Sequence, residues 1–222
     1  MIIKAIIPAG GSSSRYKGKN KLLEVLANKP VIMHSIDLFS QMEEIEEIII
    51  PASLGLIPIL ENMTKEYKNI KIIQGGKNRQ ESVYNALSAI EECDFVLIHD
   101  AARPLIKKET ILKTIEQVKE QKAVTVAVKT IDTIKVVDED LKIIKTLKRD
   151  NLWNIQTPQA FEYKLILKAH EDLKGESFTD DAGLIEFLGG SVFIVEGEYS
   201  NFKITTIEDL TAAESKIKNC NI

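Results

Sequence analysis

Arg15, Lys17, Lys19 and Lys21 place four cations within a short stretch near the start of the chain. They follow Gly10-Gly11-Ser12-Ser13-Ser14, a run that can turn sharply, bring backbone N–H groups close to a ligand and keep bulky side chains out of the way. Such a loop suits a polyanion such as a nucleoside triphosphate, whose charge backbone donors and cations would share. It matches neither common phosphate signature. Gly10-Gly11 followed by Gly18-Lys19-Asn20 lacks the Gly-x-Gly-x-x-Gly spacing of dinucleotide folds, and it lacks the hydroxyl that follows Gly-Lys in a P-loop. Two further places carry chemistry. Asp100 ends an apolar run where an open α/β sheet holds its ligands, and a carboxylate there can take Mg²⁺, a hard cation that prefers oxygen. Gly75-Gly76, with Arg79 and Ser82 just beyond, is a second point at which backbone can meet ligand.

The elements that must position these groups are legible as an alternation. Strand-like apolar runs at 2–7, 45–51, 70–74, 95–98, 123–128 and 191–195 alternate with amphipathic stretches at 31–41, 56–67, 79–91, 108–121, 162–174, 179–188 and 206–218. This pattern predicts an α/β fold with a mostly parallel twisted sheet and helices on both faces. Thr206 with Asp209 reads as a capping box at the start of the last helix. One segment, about 130–154, breaks the alternation. Its pieces 133–137 and 142–147, joined by Asp138-Glu139-Asp140, predict a protruding β-hairpin that is either a surface flap or an arm covered by a second subunit.

Composition bounds the function. With 222 residues, 44% of them hydrophobic, the chain fits one α/β domain spanning 1–222 with a substantial core. A net charge of -4 argues against a nucleic-acid binder and makes the basic first loop stand out. The two cysteines, Cys93 and Cys220, have no metal-like or redox spacing. With no run of 18 apolar residues and no signal-like start, the expectation is a soluble, cytoplasmic protein with no membrane partner.

A set of motifs carries a more specific resemblance. His99-Asp100-Ala101-Ala102-Arg103-Pro104, Asp132-Thr133, Arg149-Asp150-Asn151-Leu152-Trp153, Thr157-Pro158-Gln159, Thr179-Asp180-Asp181-Ala182 and Asn201-Phe202-Lys203-Ile204-Thr205 occur in this order after the first loop. In these the chain resembles the 2-C-methyl-D-erythritol 4-phosphate cytidylyltransferases, Rossmann-like nucleotidyltransferases, over essentially its whole length. The resemblance implies transfer of a cytidylyl group from CTP to methylerythritol 4-phosphate with release of pyrophosphate, on the non-mevalonate route to isoprenoid precursors. It implies Mg²⁺ held by Asp100, and a homodimer joined through the 130–154 arm. It implies that Gly76 and Ser82 contact the cytosine with backbone around Ala9, Gly10 and Gly11. It gives Arg15, Lys21 and Lys203 as the catalytic cations. Arg79, Ala101, Arg103, Asp132, Thr157 and Thr179 would line the substrates. Thr133 and Arg149 would join Lys203 around the second substrate's phosphate, with Arg149 reaching from the partner. No role falls to His34, His99 or His170.

Asn20-Lys21-Leu22 departs from the Pro-Lys-Gln common in the family, which leaves Lys19 a rival for the role of Lys21. Two other readings stand beside this one. A ribitol 5-phosphate cytidylyltransferase shares the loop, the Arg-Asp and the Thr-Pro-Gln, but tends to depart from the Ala-Ala-Arg-Pro that 101–104 keep intact. A non-catalytic nucleotide-binding regulatory domain would be expected to have lost Arg15, Lys21 or Asp100, and none is lost.

Overall fold

A computed structural model describes residues 1–10 and 20–220; the expectations for Gly11, Arg15, Lys17 and Lys19 lie outside the described residues. Among the described residues, eleven strands and seven α-helices follow in chain order. The strands are β1 (Ile3–Ile6), β2 (Val25–Leu26), β3 (Lys29–Pro30), β4 (Glu47–Ala52), β5 (Ile70–Gln74), β6 (Phe95–Ile98), β7 (Ala123–Lys129), β8 (Lys135–Val137), β9 (Ile143–Thr146), β10 (Trp153–Glu162) and β11 (Phe193–Glu196). The helices are α1 (Val31–Ser40), α2 (Ile57–Thr64), α3 (Arg79–Ser88), α4 (Lys108–Gln121), α5 (Tyr163–Asp172), α6 (Ala182–Phe187) and α7 (Ile207–Cys220).

Seven strands form one sheet in the order β11-β7-β10-β6-β1-β4-β5. All run parallel except β10, which is antiparallel to both its neighbours. The alternation of a pleated strand divides its side chains between two layers. Ala5, Ile48, Leu97 and Val124 face α1, α2 and α4, where Ile36, Phe39, Leu60 and Ile115 close a first core. Ile6, Ile49, Val96 and Phe161 face α3, α5 and α6, where Val83, Leu87, Ile166 and Leu184 close a second. Strands β1, β4 and β6 are buried on both faces, which is why they read as continuous apolar runs. A small third cluster, Leu26, Val31, Ile204 and Ala213, packs α7 beside the first helix. At the start of α7 the capping box closes as expected, Thr206 N–H donating to Asp209 Oδ2 at 2.9 Å and Asp209 N–H to Thr206 Oγ1 at 3.3 Å.

From β1 the chain winds outward to β4 and β5 and then returns to the other side of β1 as β6. The carboxyl ends of β1 and β6 therefore flank the point where the winding reverses, and a crevice opens there. The hairpin expected at 130–154 is the far end of an antiparallel excursion: β7 leads out, β10 leads back, and Thr130 N–H donates to Leu152 O at 2.9 Å beyond the paired strands. Along it β9 is exposed at every residue, and Ile131, Leu141, Ile143 and Ile144 lie among the large exposed hydrophobics.

Candidate active site

The crevice is built from three strand ends. Past β1, Ala9 extends the pairing with β4, its N–H donating to Pro51 O at 2.9 Å, and Gly10 follows. Past β5, Gly75 N–H donates to Ala52 O at 2.8 Å before the chain turns into α3. Asn78 caps that helix, its Oδ1 accepting from Glu81 N–H at 2.8 Å, while Glu81 Oε2 accepts from Lys77 N–H at 2.8 Å. Ser82 sits beneath both loops. Its hydroxyl donates to Asn78 O at 2.8 Å and accepts from Gly76 N–H at 3.0 Å, so it fixes the glycine turn from below. The glycines are sterically required: a Cβ on Gly76 would lie 2.2 Å from the Glu81 Cβ, and one on Gly75 would lie 2.9 Å from Ser82 Oγ.

Past β6 comes Asp100, and three cations converge on its carboxylate. Arg79 Nε donates to Oδ1 at 3.0 Å, Lys203 Nζ to Oδ2 at 2.9 Å, and Arg103 Nε stands 3.6 Å from Oδ2. Burial works against the charge, but Arg79, Lys203 and Arg103 more than offset it and hold the Asp100 carboxyl well below the usual range. Arg103 is tied down by its own backbone acceptors, Asn201 O at 2.8 Å and Ile155 O at 3.4 Å. Lys203 is delivered by the segment before α7, where Ile204 N–H donates to Ala102 O at 2.8 Å. Lys21 opens a single 3₁₀ turn at 21–23 that Asn20 caps, its Oδ1 accepting from Leu22 N–H at 3.1 Å, and Lys21 Nζ donates to Ile204 O at 2.8 Å. Asn20 thus stabilises the turn that presents Lys21.

Behind Asp100 a short relay of neutral groups locks the strand end. Asp100 N–H donates to Thr157 Oγ1 at 3.0 Å, and that oxygen lies 3.1 Å from His99 Nδ1. His99 Nε2 lies 3.1 Å from Arg103 O. One tautomer satisfies all three, with Nε2–H donating to the carbonyl and Nδ1 accepting from the threonine hydroxyl. Full burial pushes the His99 pKa down to about 4, so the ring is neutral, as befits a structural part of the wall.

Two lobes meet at Asp100. One is lined by Gly10, Lys21, Ser82, Ala101, Arg79 and Lys203; the other, about 500 Å³, by Arg103, Thr157, Gln159, Thr179, Asp180 and Lys203. Of the expected site residues, Gly10, Lys21, Arg79, Ser82, Asp100, Ala101, Arg103, Thr157, Thr179 and Lys203 therefore come together, with Gly76 supporting the turn. Asp132, Thr133 and Arg149 do not join them in one chain: all three are exposed on the arm, and Arg149 Nη1 donates to Ile131 O at 2.7 Å. Gln156 and Gln159, two polar residues of β10, line the second lobe without having been among the expected site residues; the Thr157-Pro158-Gln159 motif is their one sequence signal.

The donor set can be tested against Mg²⁺. Among the described residues no three of His, Cys, Asp or Glu cluster to hold an ion. Asp100 is one carboxylate between two lobes, which fits an ion that arrives on phosphate oxygens and takes a single protein ligand, rather than a resident metal in a protein cage.

A glycine-edged lobe, a cationic junction and a second polar lobe, all at the winding reversal of a mostly parallel sheet, suit the class of α/β proteins that act on phosphorylated ligands. Comparison with known proteins narrows the class. The family model for 2-C-methyl-D-erythritol 4-phosphate cytidylyltransferase matches residues 3–219, and the chain belongs to that family. It is 46% identical to the 2-C-methyl-D-erythritol 4-phosphate cytidylyltransferase of Caldanaerobacter subterraneus subsp. tengcongensis, covering 96% of this chain and 98% of that one, and 43% identical to that of Clostridium tetani, covering 98% and 91%. Among solved structures, the 4-diphosphocytidyl-2C-methyl-D-erythritol synthase of Anaerococcus prevotii superposes with a TM-score of 0.88 at 37% identity, covering 98% of each chain. The Thermus thermophilus cytidylyltransferase gives 0.82 at 27% identity, covering 98% of this chain and 100% of that one.

Proposed function

We infer that the protein transfers the cytidylyl group of CTP to 2-C-methyl-D-erythritol 4-phosphate, giving 4-diphosphocytidyl-2-C-methylerythritol and pyrophosphate for isoprenoid synthesis. One observation carries the reading: the family's residues around Asp100 are brought into a single cationic crevice with two lobes. An oxygen of the polyol phosphate attacks the α-phosphorus of CTP as the bond to the β-phosphate breaks. A phosphate monoester has a second pKa near ~6 and is largely dianionic at neutral pH, so the step needs no general base. What remains is to bring two anions together and stabilise the spreading charge. Lys21 and Arg15 serve the triphosphate, Lys203 stands between the two lobes, and Arg103 and Thr179 face the second substrate. Asp100 would hold Mg²⁺, which when bound would supply positive charge to the phosphates, and Lys203, 2.9 Å from Asp100, brings a further cation to the junction of the lobes.

Cytosine presents an amino donor beside N3 and O2 acceptors, and the turn at Gly75-Gly76 with the backbone around Ala9 offers fixed groups to read them. Ala9 N–H and Gly76 N–H already donate within the protein, to Pro51 O and Ser82 Oγ, which holds both turns in place for that reading. The exposed isoleucines of the arm and the absence of Asp132, Thr133 and Arg149 from their own cleft support a homodimer in which each arm completes the other site. No helix among the described residues is long and apolar enough to cross a membrane, and the reading carries with it a cytoplasmic enzyme.

The test is pyrophosphate release from CTP with each polyol phosphate in turn. Methylerythritol 4-phosphate should be the efficient acceptor, and UTP should be about ten-fold or more worse than CTP, because a mispaired buried polar group costs about 1–3 kcal/mol. Faster release with ribitol 5-phosphate would overturn the acceptor assignment.

A further inference from the structure

Arg79 opens α3, and its guanidinium spans two buried carboxylates, Nε donating to Asp100 Oδ1 at 3.0 Å and Nη1 to Asp181 Oδ2 at 2.7 Å. Asp181 lines neither lobe of the crevice, and its side chain is 1% exposed. Its own surroundings are complete. The other carboxylate oxygen lies 3.2 Å from Nε2 of His170, a buried ring stacked on Tyr84, and the backbone N–H groups of Asp181 and Ala182 donate to Gln159 Oε1 at 3.0 and 3.1 Å. Gln159 in turn donates to Thr125 Oγ1 and Asp180 Oδ2. Two helices and the antiparallel strand are thus engaged in holding one carboxylate that no substrate could touch.

What that carboxylate faces is Arg79. Burial disfavours an ionised Asp181, but Arg79 and the His170 hydrogen bond more than offset it and keep the group charged. Removing one partner of a buried ion pair leaves the other uncompensated. Without Asp181, one end of the Arg79 guanidinium would stand unmatched close to Lys203 and Arg103, and it would be drawn toward any phosphate in the crevice. Asp100 would lose the partner that fixes Oδ1.

We propose that Asp181 is a positioning residue for the transfer reaction: it holds Arg79 against Asp100, so that Asp100 keeps one oxygen on Arg79 and presents the other to Lys203 and the junction of the lobes. Arg79 then serves as a fixed counter-ion, where the sequence had suggested a direct substrate contact. The inference rests on the reading of this crevice as the cytidylyl-transfer site.

A double-mutant cycle tests it, with kcat and the KM for CTP measured on wild type, Asp181→Asn, Arg79→Gln and the double variant, each shown to be folded by its circular dichroism melt. Asp181→Asn should lower kcat about ten-fold or more while changing the KM for CTP less than about three-fold, and in the Arg79→Gln background it should cost less than about two-fold. A merely structural residue would lower the melting temperature and reduce activity by the same factor in both backgrounds. Losses that multiply therefore overturn the proposal. If Asp181→Asn does not fold, Asp181→Glu, which keeps the charge but displaces it by one methylene, takes its place in the cycle with the same expected coupling. Wild-type turnover with multiplying losses contradicts this inference alone; a wild type without turnover contradicts the reading of the site and this inference with it.

Discussion

At the scale of single residues, the site rests on groups whose charge is settled by what surrounds them. Asp100 is held ionised by Arg79, Lys203 and Arg103 against the cost of burial, and His99 is held neutral by burial although it sits next to it in sequence. The histidine has a consequence for stability. Its folded pKa is depressed from 6.5 to about 4, so between those values the unfolded chain binds a proton that the native protein refuses. Stability is therefore fully present above about pH 6.5 and falls as pH drops toward 4, by roughly 3 kcal/mol over the window. Denaturant unfolding at pH 7 and at pH 4.5 should show this loss, and the His99→Gln variant, less stable at neutral pH, should have a flatter dependence. The depressed Asp100 and Asp181 add their own losses only at more acid pH, below the ordinary carboxylate range. Had His99 been charged in the native state, the wild-type slope over the window would match the variant's.

Among the elements, the parallel strands and the helices were legible because both faces of β1, β4 and β6 are buried and their apolar runs are unbroken. The antiparallel strand β10 was not. Its sequence, Trp-Asn-Ile-Gln-Thr-Pro-Gln-Ala-Phe-Glu, has a proline at its middle and polar residues where a buried strand should be apolar, so propensity argues against it. The structure resolves the conflict: the register with β7 shifts between Ile155 and Gln159, and the polar side chains of this stretch turn to the work of the site, Thr157 on Asp100 and His99, Gln159 on the start of α6. Lys21, Asp100, Thr179 and Lys203 could likewise be gathered from sequence only through the family, because their proximity is a product of strand order rather than of spacing. The arm belongs to this scale too. In a two-fold dimer whose arms cross, mixing inactive Arg149→Ala with inactive Lys21→Ala subunits creates, in each mixed dimer, one site with both native residues and one with neither. With exchange demonstrated, random reassortment should restore roughly a quarter of the wild-type rate. A mixture as inactive as its components would place Arg149 in the service of its own subunit.

For the molecule as a whole, the winding of the chain and its chemistry share one location. The winding of the chain reverses between β1 and β6, the crevice opens at that reversal, and α7 and the segment before it fold back to deliver Lys203 and to give Lys21 a carbonyl to rest on. An acidic chain thereby keeps a local concentration of positive charge where two phosphorylated substrates must meet. Transfer of the cytidylyl group at this junction, with Lys21 stabilising the charge as it moves, is the proposed reaction. It is tested most directly by following CTP labelled at the α-phosphorus in the presence of methylerythritol 4-phosphate, with wild type and Lys21→Ala side by side. The expected result is label passing into the polyol diphosphate product with wild type, and a rate lower by about 10²–10³ with Lys21→Ala, the usual loss for one contact to developing charge. Label released as free CMP, or near-normal transfer by Lys21→Ala, would contradict it.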